Sequence, residues 1–247
     1  MGFFVMIDGL DGSGKGTALD ALQDWAVKKG RKVLDLRAYW KKHGTYPQSI
    51  KKYDVIISAE PTYVSHGKII REELINKKKV HTGKEIADAF AKDREELYNK
   101  IIVPALQSEK WVFQERGIVT SLVYQPLQGV SLKKVKTLRG NMQALQCAPD
   151  LLVILKIKPE TTMKRLAMRK KQDNAIFENL AFQKKIANIY ESKWLKKLFE
   201  KQGSQVVYLS TDAPASPKDT KKRIVELVKS HLDKSISKKK NKNYIAK

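Results

Sequence analysis

Residues 9–17 read GLDGSGKGT and lie between an apolar run at 3–8 and an amphipathic stretch that begins at Lys15. Glycines allow successive backbone N–H groups to turn toward an anion, a helix N-terminus adds partial positive charge, and the lysine reaches the outer phosphates. A strand, this loop and a helix, in that order, predict a nucleoside-triphosphate site. The residues predicted to bind the triphosphate are Gly9, Asp11, Gly12, Ser13, Gly14, Lys15, Gly16 and Thr17.

Short apolar runs alternate with longer amphipathic stretches along the rest of the chain. This alternation predicts an α/β fold with a mostly parallel central sheet flanked by helices. Leu151–Ile157 is almost wholly apolar, as expected of a strand covered on both faces. Strands are predicted at 3–8, 33–36, 54–60, 111–115, 151–157 and 206–209. Helices are predicted at 15–29, 67–76 and 82–106, in a short stretch between the strand at 111–115 and residue 125, at 131–146, from 159 onward, at 177–200 and at 220–232.

One segment and one terminus do not follow this alternation. Residues 38–53 are rich in aromatics, lysines and turn formers, so they are predicted to form a loop or insertion. Tyr39, Trp40 and Tyr46 in this segment either stack on a base or cover apolar surface, and covering is the favoured interpretation. No linker divides the chain, so residues 1–234 are predicted to form a single domain. Residues 235–247 are predicted to be a flexible basic tail.

Composition narrows the class of protein. The chain has a formal net charge of +23, which favours phosphate-bearing partners, although the surplus is mostly lysine spread along predicted helical faces. A single cysteine, Cys147, excludes an intrachain disulfide and a cysteine-based zinc site. No apolar run approaches the roughly 20 residues of a membrane span, and the first residues lack the features of a secretory signal. A cytoplasmic protein is therefore expected.

Several motifs, in order, resemble those of the thymidylate kinase family of nucleoside monophosphate kinases. They are FFVMIDGLDGSGKGT, AEPTYVSHGKIIREELI, ADAFAKDREELYNKIIVPAL, VFQERGIVTSLVYQ, APDLLVILKIKPETTMKRLAMR and VVYLSTDAPAS. The resemblance implies a three-layer P-loop kinase fold, ATP and Mg²⁺ as cofactors, and phosphorylation of dTMP to dTDP. It also implies a homodimer built on helices near residues 67–106, and a lid at 165–177 that closes over the phosphates.

The acceptor site is predicted from arginines and aromatics. Arg116 follows an apolar strand, where its guanidinium can bind a monophosphate in bidentate fashion or form an internal ion pair with Glu115. Phe90 and Arg94 lie one helical turn apart on one face; the resemblance implies that they bind the acceptor base, whereas a place in the core is the alternative. The predicted acceptor-binding residues are Glu60, Arg71, Phe90, Arg94, Glu115, Arg116, Ser121 and Tyr124.

Phosphoryl transfer between two polyanions requires charge neutralisation and alignment. Asp11, Gly16 and Glu115 are predicted at the metal, with Gly16 standing where related loops carry a serine or threonine. The predicted catalytic residues are Lys15, Asp11, Arg116, Arg169 and Arg165. The resemblance implies that the lid supplies the catalytic arginine, with Arg169 as the first candidate and Arg165 as the second; a solvated basic helix end is the alternative.

Some positions depart from the family pattern. Glu115-Arg116-Gly117 replaces an Asp-Arg pair followed by an aromatic residue and resembles deoxynucleoside kinases, while Asp173-Asn174 replaces a common Asp-Arg pair. Two alternative functions therefore stay open. One is a deoxynucleoside kinase acting on thymidine with Glu60 as the base. The other is a nucleic-acid-associated P-loop ATPase, suggested by the net charge.

Overall fold

Six parallel strands form one central sheet in the computed structural model, which describes residues 2–75, 80–168, 179–212 and 214–245, with side chains as far as Asp233. The strands are β1 (Phe3–Gly9), β2 (Val33–Asp35), β3 (Val55–Ala59), β4 (Trp111–Glu115), β5 (Leu151–Lys156) and β6 (Gln205–Ser210). Their order is β2-β3-β4-β1-β5-β6. Each lies where the sequence predicted a strand, so the α/β prediction is confirmed.

The strand order brings the carboxyl ends of the central strands together. β1 pairs with β4 on one side and with β5 on the other, which makes it the point at which the order of the strands reverses. Glu115 at the end of β4 lies level with Ile7 of β1 and with Ala59 of β3. Ligands of open parallel sheets bind in the crevice at such a reversal, so the fold places a site here.

Helices cover both faces of the sheet. They are α1 (Lys15–Lys28), α2 (Leu36–His43), α3 (Ser65–Ile69), α4 (Gly83–Leu97), α5 (Val103–Gln107), α6 (Ile118–Tyr124), α7 (Leu132–Thr137), α8 (Arg139–Gln146), α9 (Pro159–Ala167), α10 (Leu180–Tyr190), α11 (Lys193–Lys201) and α12 (Pro217–Ile245). Turns of π-helix at Ile70–Leu74 and Tyr98–Ile102, and a 3₁₀ turn at Gln125–Gln128, continue α3, α4 and α6. Among the described residues, no helix combines the length and the apolar character needed to cross a bilayer.

Side chains of β1 alternate between two hydrophobic cores. Phe4 and Met6 pack into the larger core, whereas Val5 and Ile7 pack into the smaller one. Helices α1 and α12 cover the smaller core and pack against each other. The whole of β1 is buried, as expected of a central strand between two helical layers.

The segment at 38–53 differs from the prediction because its first part is helical. Asp35 caps α2 by accepting a hydrogen bond from the backbone N–H of Arg37 at 2.9 Å, and Gly44 ends the helix in a left-handed conformation. Trp40 is only 1% exposed and packs edge-on against the ring of Tyr46. The covering interpretation is confirmed for both aromatics, since each belongs to the larger core.

Three predicted helices have different limits. The helix predicted at 131–146 is broken at Leu138, whose extended backbone lets α8 turn onto α4; a Cβ atom on Gly140 would lie 2.0 Å from the Ala91 carbonyl oxygen. The helix predicted at 177–200 is divided between α10 and α11. The backbone of α12 continues past the predicted end at Leu232 to Ile245, and so through most of the segment predicted to be a flexible tail.

Trp40→Ala is expected to destabilise the protein by about 3–5 kcal/mol, because the substitution leaves a large cavity in a packed core. The free energy of unfolding from urea titrations measures this loss. Trp194→Ala is the matched control, since Trp194 is 39% exposed and its replacement is expected to cost less than about 1 kcal/mol. A Trp40→Ala protein as stable as the wild type would mean that α2 is not part of the core.

Candidate active site

A cavity of about 1030 Å³ opens at the carboxyl ends of β1, β3 and β4. It is lined by the predicted phosphate-binding loop (residues 9–15, here called the phosphate-binding loop) and the start of α1. Helix α2, the loop after β3, α4 and α6 also line it. The residues predicted from sequence that line it are Asp11, Gly12, Gly14, Lys15, Gly16, Thr17, Glu60, Arg71, Phe90, Glu115, Arg116, Ser121 and Tyr124. The structure therefore brings the two predicted half-sites into one cavity.

The phosphate-binding loop has a backbone that depends on glycine. A Cβ atom on Gly9 would lie 2.5 Å from the carbonyl oxygen of Leu155 on the neighbouring strand, so no larger residue fits there. Gly14 has a φ of +92°, a left-handed conformation from which α1 begins. Gly9 and Ser13 shape the loop without lining the cavity.

Lys15 is folded into its own loop. Its ammonium donates hydrogen bonds to the carbonyl oxygens of Gly9 at 3.0 Å and Leu10 at 2.7 Å, and Asp11 Oδ1 lies 3.9 Å away. Burial, together with the positive charge of Arg116, lowers the pKa of Lys15 to about 8. The cavity thus holds a buried cation whose charge is only weakly supported by the protein alone.

Arg116 has a strained backbone that two hydrogen bonds hold in place. Its φ is +62°, its N–H donates to the Ile7 carbonyl at 2.8 Å, and its carbonyl accepts from Gln114 Nε2 at 2.9 Å. The guanidinium pairs with the Asp11 carboxylate and donates to Thr120 Oγ1 at 3.3 Å. Although burial opposes its charge, Asp11 is the main cause that raises the pKa of Arg116 well above its ordinary value. The alternative of an ion pair with Glu115 is therefore wrong, because the partner is Asp11.

A buried carboxylate that the sequence analysis missed lies behind this pair. Asp8 accepts hydrogen bonds from the Gly9 N–H at 2.8 Å, from Thr120 Oγ1 at 2.9 Å and from the Tyr190 hydroxyl at 2.8 Å. Arg116 Nη1 lies 4.0 Å from the same carboxylate. An acidic residue at the end of an otherwise apolar strand was the available signal. Its partners come from helices far away in the chain, and no local pattern identifies them.

The acceptor half of the cavity separates Phe90 from Arg94. Phe90 is half-buried and lines the cavity, whereas Arg94 is fully buried behind it and is not among the lining residues. Arg94 forms an ion pair of 2.6 Å with Glu60, donates to Ser121 Oγ at 3.1 Å and donates to the side-chain oxygen of Asn141. In this arrangement, Arg94 supports residues that line the cavity.

Glu60 is held on both sides of its carboxylate. Arg94 contacts Oε2, and Gln114 Nε2 donates to Oε1 at 3.0 Å. Burial raises the pKa of Glu60, and the charge of Arg94 opposes that shift. Oε1 accepts a hydrogen bond, whereas Oε2 has only the ion-pair contact with Arg94 and makes no hydrogen bond with a described residue.

Arg71 is anchored to the loop after β3. Its Nε donates to the carbonyl oxygens of Pro61 at 3.0 Å and Thr62 at 2.9 Å, and its guanidinium lies 3.9 Å from the centre of the Tyr63 ring. The loop is itself tied to α4, because Thr62 Oγ1 donates to Asp93 Oδ1 at 2.6 Å. Arg71 therefore faces the cavity from the π-helical turn after α3, with its side chain anchored to the loop after β3.

The predicted metal residues fit a cation only in part. Gly16 has no side-chain oxygen, but a Cβ atom there would have Glu115 Oε2, at 3.6 Å, as its nearest neighbour, so that carboxylate overlies the position. In the part of the chain that the structure describes, the Glu115 carboxylate makes no hydrogen bond or ion pair. Asp11 faces the same cavity but pairs with Arg116. The same described residues contain no cluster of three or more metal-ligating side chains.

The structure describes only the first of the two predicted lid arginines, Arg165 and Arg169. Arg165 donates to the carbonyl oxygens of Gly12 at 3.3 Å and Thr211 at 2.8 Å, so it braces the phosphate-binding loop against the end of β6. Arg169 lies outside the described residues, as does the rest of the predicted lid from 169 to 177.

Other residues at the cavity were not predicted. Gln125 and Gln128 line it from the turn after α6, and Lys41 lines it from α2. Gln125 is 2% exposed; its Nε2 donates to Ser121 Oγ at 3.2 Å, while its Oε1 is buried with no hydrogen-bond partner among the described residues. A buried amide oxygen of this kind is expected to find a partner in a ligand.

Comparison with known proteins gives consistent matches. The family model described as Thymidylate kinase matches residues 46–224. A protein from Thermococcus onnurineus, described as a probable thymidylate kinase, is 32% identical over 237 residues, which span 93% of this chain and 98% of that protein. One from Thermococcus gammatolerans with the same description is 35% identical over 173 residues, covering 67% of this chain and 71% of its own. A thymidylate kinase from Caldicellulosiruptor saccharolyticus is 30% identical over 201 residues, covering 81% and 85%.

The pKa of Lys15 predicts how triphosphate binding depends on pH. Below pH 8 the ammonium is charged and attracts phosphate, whereas above pH 8 it loses its proton, so affinity falls as the pH rises. The Kd of a non-hydrolysable ATP analogue, measured by calorimetry, is expected to increase about tenfold between roughly pH 7 and 9. Lys15→Arg keeps its charge over this range and is expected to give a flat profile. A flat profile for the wild type would contradict the role given to this group.

Proposed function

The chain belongs to the thymidylate kinase family, and we propose that it transfers the γ-phosphoryl group of ATP to dTMP, giving dTDP and ADP. The observation that carries this function is the single cavity in which Lys15 of the phosphate-binding loop faces Arg71, Phe90 and Arg116 of the acceptor half. Both reactants are polyanions, and this cavity offers cations to each. In the transfer, an oxygen of the dTMP phosphate bonds to the γ-phosphorus as the bond to the bridging oxygen of ADP breaks.

On the donor side, Lys15 neutralises the outer phosphates. The ammonium has carbonyl partners in its loop, and a triphosphate offers it negatively charged oxygens instead, a stronger type of hydrogen bond. Arg165 keeps the Gly12 carbonyl in place on the other side of the loop. The loop thus presents its N–H groups and one cation to the donor.

On the acceptor side, Arg116 holds the dTMP phosphate. Its planar guanidinium suits bidentate contact with a phosphate, and the backbone hydrogen bonds that fix its left-handed conformation fix its direction. Asp11 occupies this group in the structure, so the acceptor phosphate competes with Asp11 for it. Displaced from Arg116, Asp11 lies beside Lys15 and the donor phosphates, where it acts in the alignment of the two reactants.

The base of the acceptor lies against Phe90. An aromatic ring that lines the cavity suits stacking, and the buried polar groups of Ser121 and Gln125 supply hydrogen bonds at one edge. Glu60 and Arg94 act from behind by fixing the Ser121 hydroxyl. Tyr124 completes the lining of this half of the cavity.

Glu115, with Asp11 nearby, would hold Mg²⁺ at the start of α1. Gly16 leaves room where a hydroxyl would stand, and the Glu115 carboxylate, which pairs with no other described residue, overlies that room. Mg²⁺ prefers hard oxygen ligands and keeps several waters, so one carboxylate and the nucleotide phosphates suffice to hold it, with Asp11 nearby. When bound, the ion neutralises charge that develops on the transferring phosphoryl group.

The two alternative functions are not favoured. The deoxynucleoside kinase hypothesis needs Glu60 as a base, whereas Glu60 forms a buried ion pair with Arg94 and the relatives are described as thymidylate kinases. The nucleic-acid hypothesis rests on the net charge and the lysine-rich tail alone. We further propose that the enzyme is cytoplasmic and has one catalytic domain at 1–234. We also propose that it assembles as a homodimer through helices near residues 67–106. Light scattering that reports the mass of one chain would contradict the dimer.

A coupled assay of ADP release across the nucleoside monophosphates tests the function, with dTMP as the expected acceptor. Arg116→Ala is expected to lower kcat/KM for dTMP by about 10²–10³, mostly through KM, because the bidentate partner of the acceptor phosphate is lost. Arg139→Ala is the control, since Arg139 is 83% exposed and lies away from the cavity. No turnover of any monophosphate by the wild type would overturn the proposal.

Arg169 remains the proposed catalytic arginine of the lid. Arg169→Ala is expected to lower kcat by about 10²–10³, the scale of one lost transition-state donor, with little change in ATP affinity. Arg165→Ala is expected to weaken ATP binding more than it lowers kcat, because Arg165 braces the phosphate-binding loop. Single-turnover rates and ATP affinities distinguish the roles of Arg169 and Arg165. If Arg169→Ala keeps a kcat near that of the wild type and Arg165→Ala has a strongly reduced kcat, Arg165 is the catalytic arginine instead.

A further inference from the structure

Helix α2 contributes to the cavity through charged residues that were not predicted as site residues. Asp35, Arg37, Ala38 and Lys41, at the start of α2 and along it, line the cavity beside the phosphate-binding loop and the loop after β3. The segment was predicted to be a loop or insertion. Its position raises the question of which of these groups meets a substrate.

The position of α2 is fixed by burial and by ion pairs. Trp40 is buried in the larger core, and Arg37 forms ion pairs of 2.9 Å with both Asp35 and Asp20. These two carboxylates pair with Arg37, so a ligand would have to displace them to reach this cation. Lys41 follows Trp40 directly, and its backbone is therefore held where the cavity begins.

Lys41 differs from Arg37 because it lacks a carboxylate partner. Its side chain is exposed, and its ammonium lies 4.8 Å from the centre of the Tyr63 ring. Among the described residues no acidic group lies within ion-pair distance of it, although Glu72 and Glu115 line the same cavity. A cation–π contact at an exposed site is weak, so the ammonium is free to exchange it for a stronger partner.

Arg71 contacts the same ring. Its guanidinium lies 3.9 Å from the ring centre, and its only hydrogen bonds within the described chain go to carbonyl oxygens of the loop after β3. Burial lowers the pKa of Arg71, which means that its charge is poorly supported by the surrounding protein. Lys41 and Arg71 thus contact one aromatic ring, and neither pairs with a carboxylate of the described residues, so both cations are suited to bind an anion.

We propose that Lys41 and Arg71 form an anion subsite that joins Arg116 in binding the 5′-monophosphate of the acceptor. The subsite rests on the proposed function, since it names how that acceptor is held. The four-carbon stem of Lys41 lets the ammonium leave Tyr63 and approach a phosphate beside Arg71. A phosphate dianion offers both cations a charge-assisted hydrogen bond. Lys41 is thus a binding residue for the acceptor, supplied by an element outside the phosphate-binding loop.

Calorimetric binding of dTMP and of thymidine, without ATP, tests the proposal. Lys41→Ala is expected to raise the Kd for dTMP about fivefold, the scale of one exposed charge-assisted contact, and to leave thymidine binding unchanged because thymidine lacks the phosphate. Lys41→Arg is expected to keep most of the affinity for dTMP. Lys42→Ala is the matched control, since Lys42 is an exposed neighbour that does not line the cavity.

Each other result overturns the proposal in a different way. Equal loss of dTMP and thymidine affinity in Lys41→Ala would indicate a structural effect on the cavity. Weaker binding of a non-hydrolysable ATP analogue, with dTMP unaffected, would assign Lys41 to the donor phosphates. If Lys41→Ala binds dTMP as well as the wild type does, and the wild type forms dTDP, Lys41 is not part of the subsite. The proposed function would then stand without this proposal. Failure of the wild type to bind dTMP would overturn the proposed function together with the subsite.

Discussion

The carboxylate of Asp8, buried at the end of the central strand, joins the elements that form the site. It accepts hydrogen bonds from the phosphate-binding loop, from α6 through Thr120 and from α10 through Tyr190. A buried charge is costly unless it is hydrogen-bonded, so the three elements are stabilised only in the arrangement that satisfies it. The Arg116 guanidinium, 4.0 Å away, adds a favourable charge. The two halves of the cavity therefore share one anchor.

Around this anchor, the charges fall into paired and unpaired groups. Glu60 is paired with Arg94, and Arg37 is paired with two aspartates. These ion pairs fix the positions of the side chains, and the paired groups carry little net charge. Among the described residues, Arg71 and Lys41 have carbonyl or aromatic partners, and Lys15 adds only a distant contact with Asp11 to its two carbonyl partners. Cations held in this way suit phosphates, because each gains a stronger partner when a polyanion binds.

The predictions from sequence succeeded where a local pattern is enough. All six strands, most helices and the phosphate-binding loop follow from apolar runs, periodicity and glycine spacing. The prediction was wrong for the first part of the segment at 38–53, because Gly44, Pro47 and many lysines concealed one short helix whose stability comes from a buried Trp40. The break at Leu138 was missed for a similar reason, since it serves the close approach of α8 to α4. In both cases tertiary packing overrode the local signal.

The sequence by itself determined the fold class and indicated the loop proposed to bind the donor and the residue types proposed for the acceptor half, because these depend on neighbours a few positions apart. Only the tertiary structure decided the partners. Arg116 pairs with Asp11, 105 positions away, although Glu115 is adjacent in the chain. Arg94 faces Glu60 behind the cavity wall, and Lys41 shares the ring of Tyr63 with Arg71. Such contacts join residues on different strands and helices, and the order of the strands in the sheet sets which of them meet.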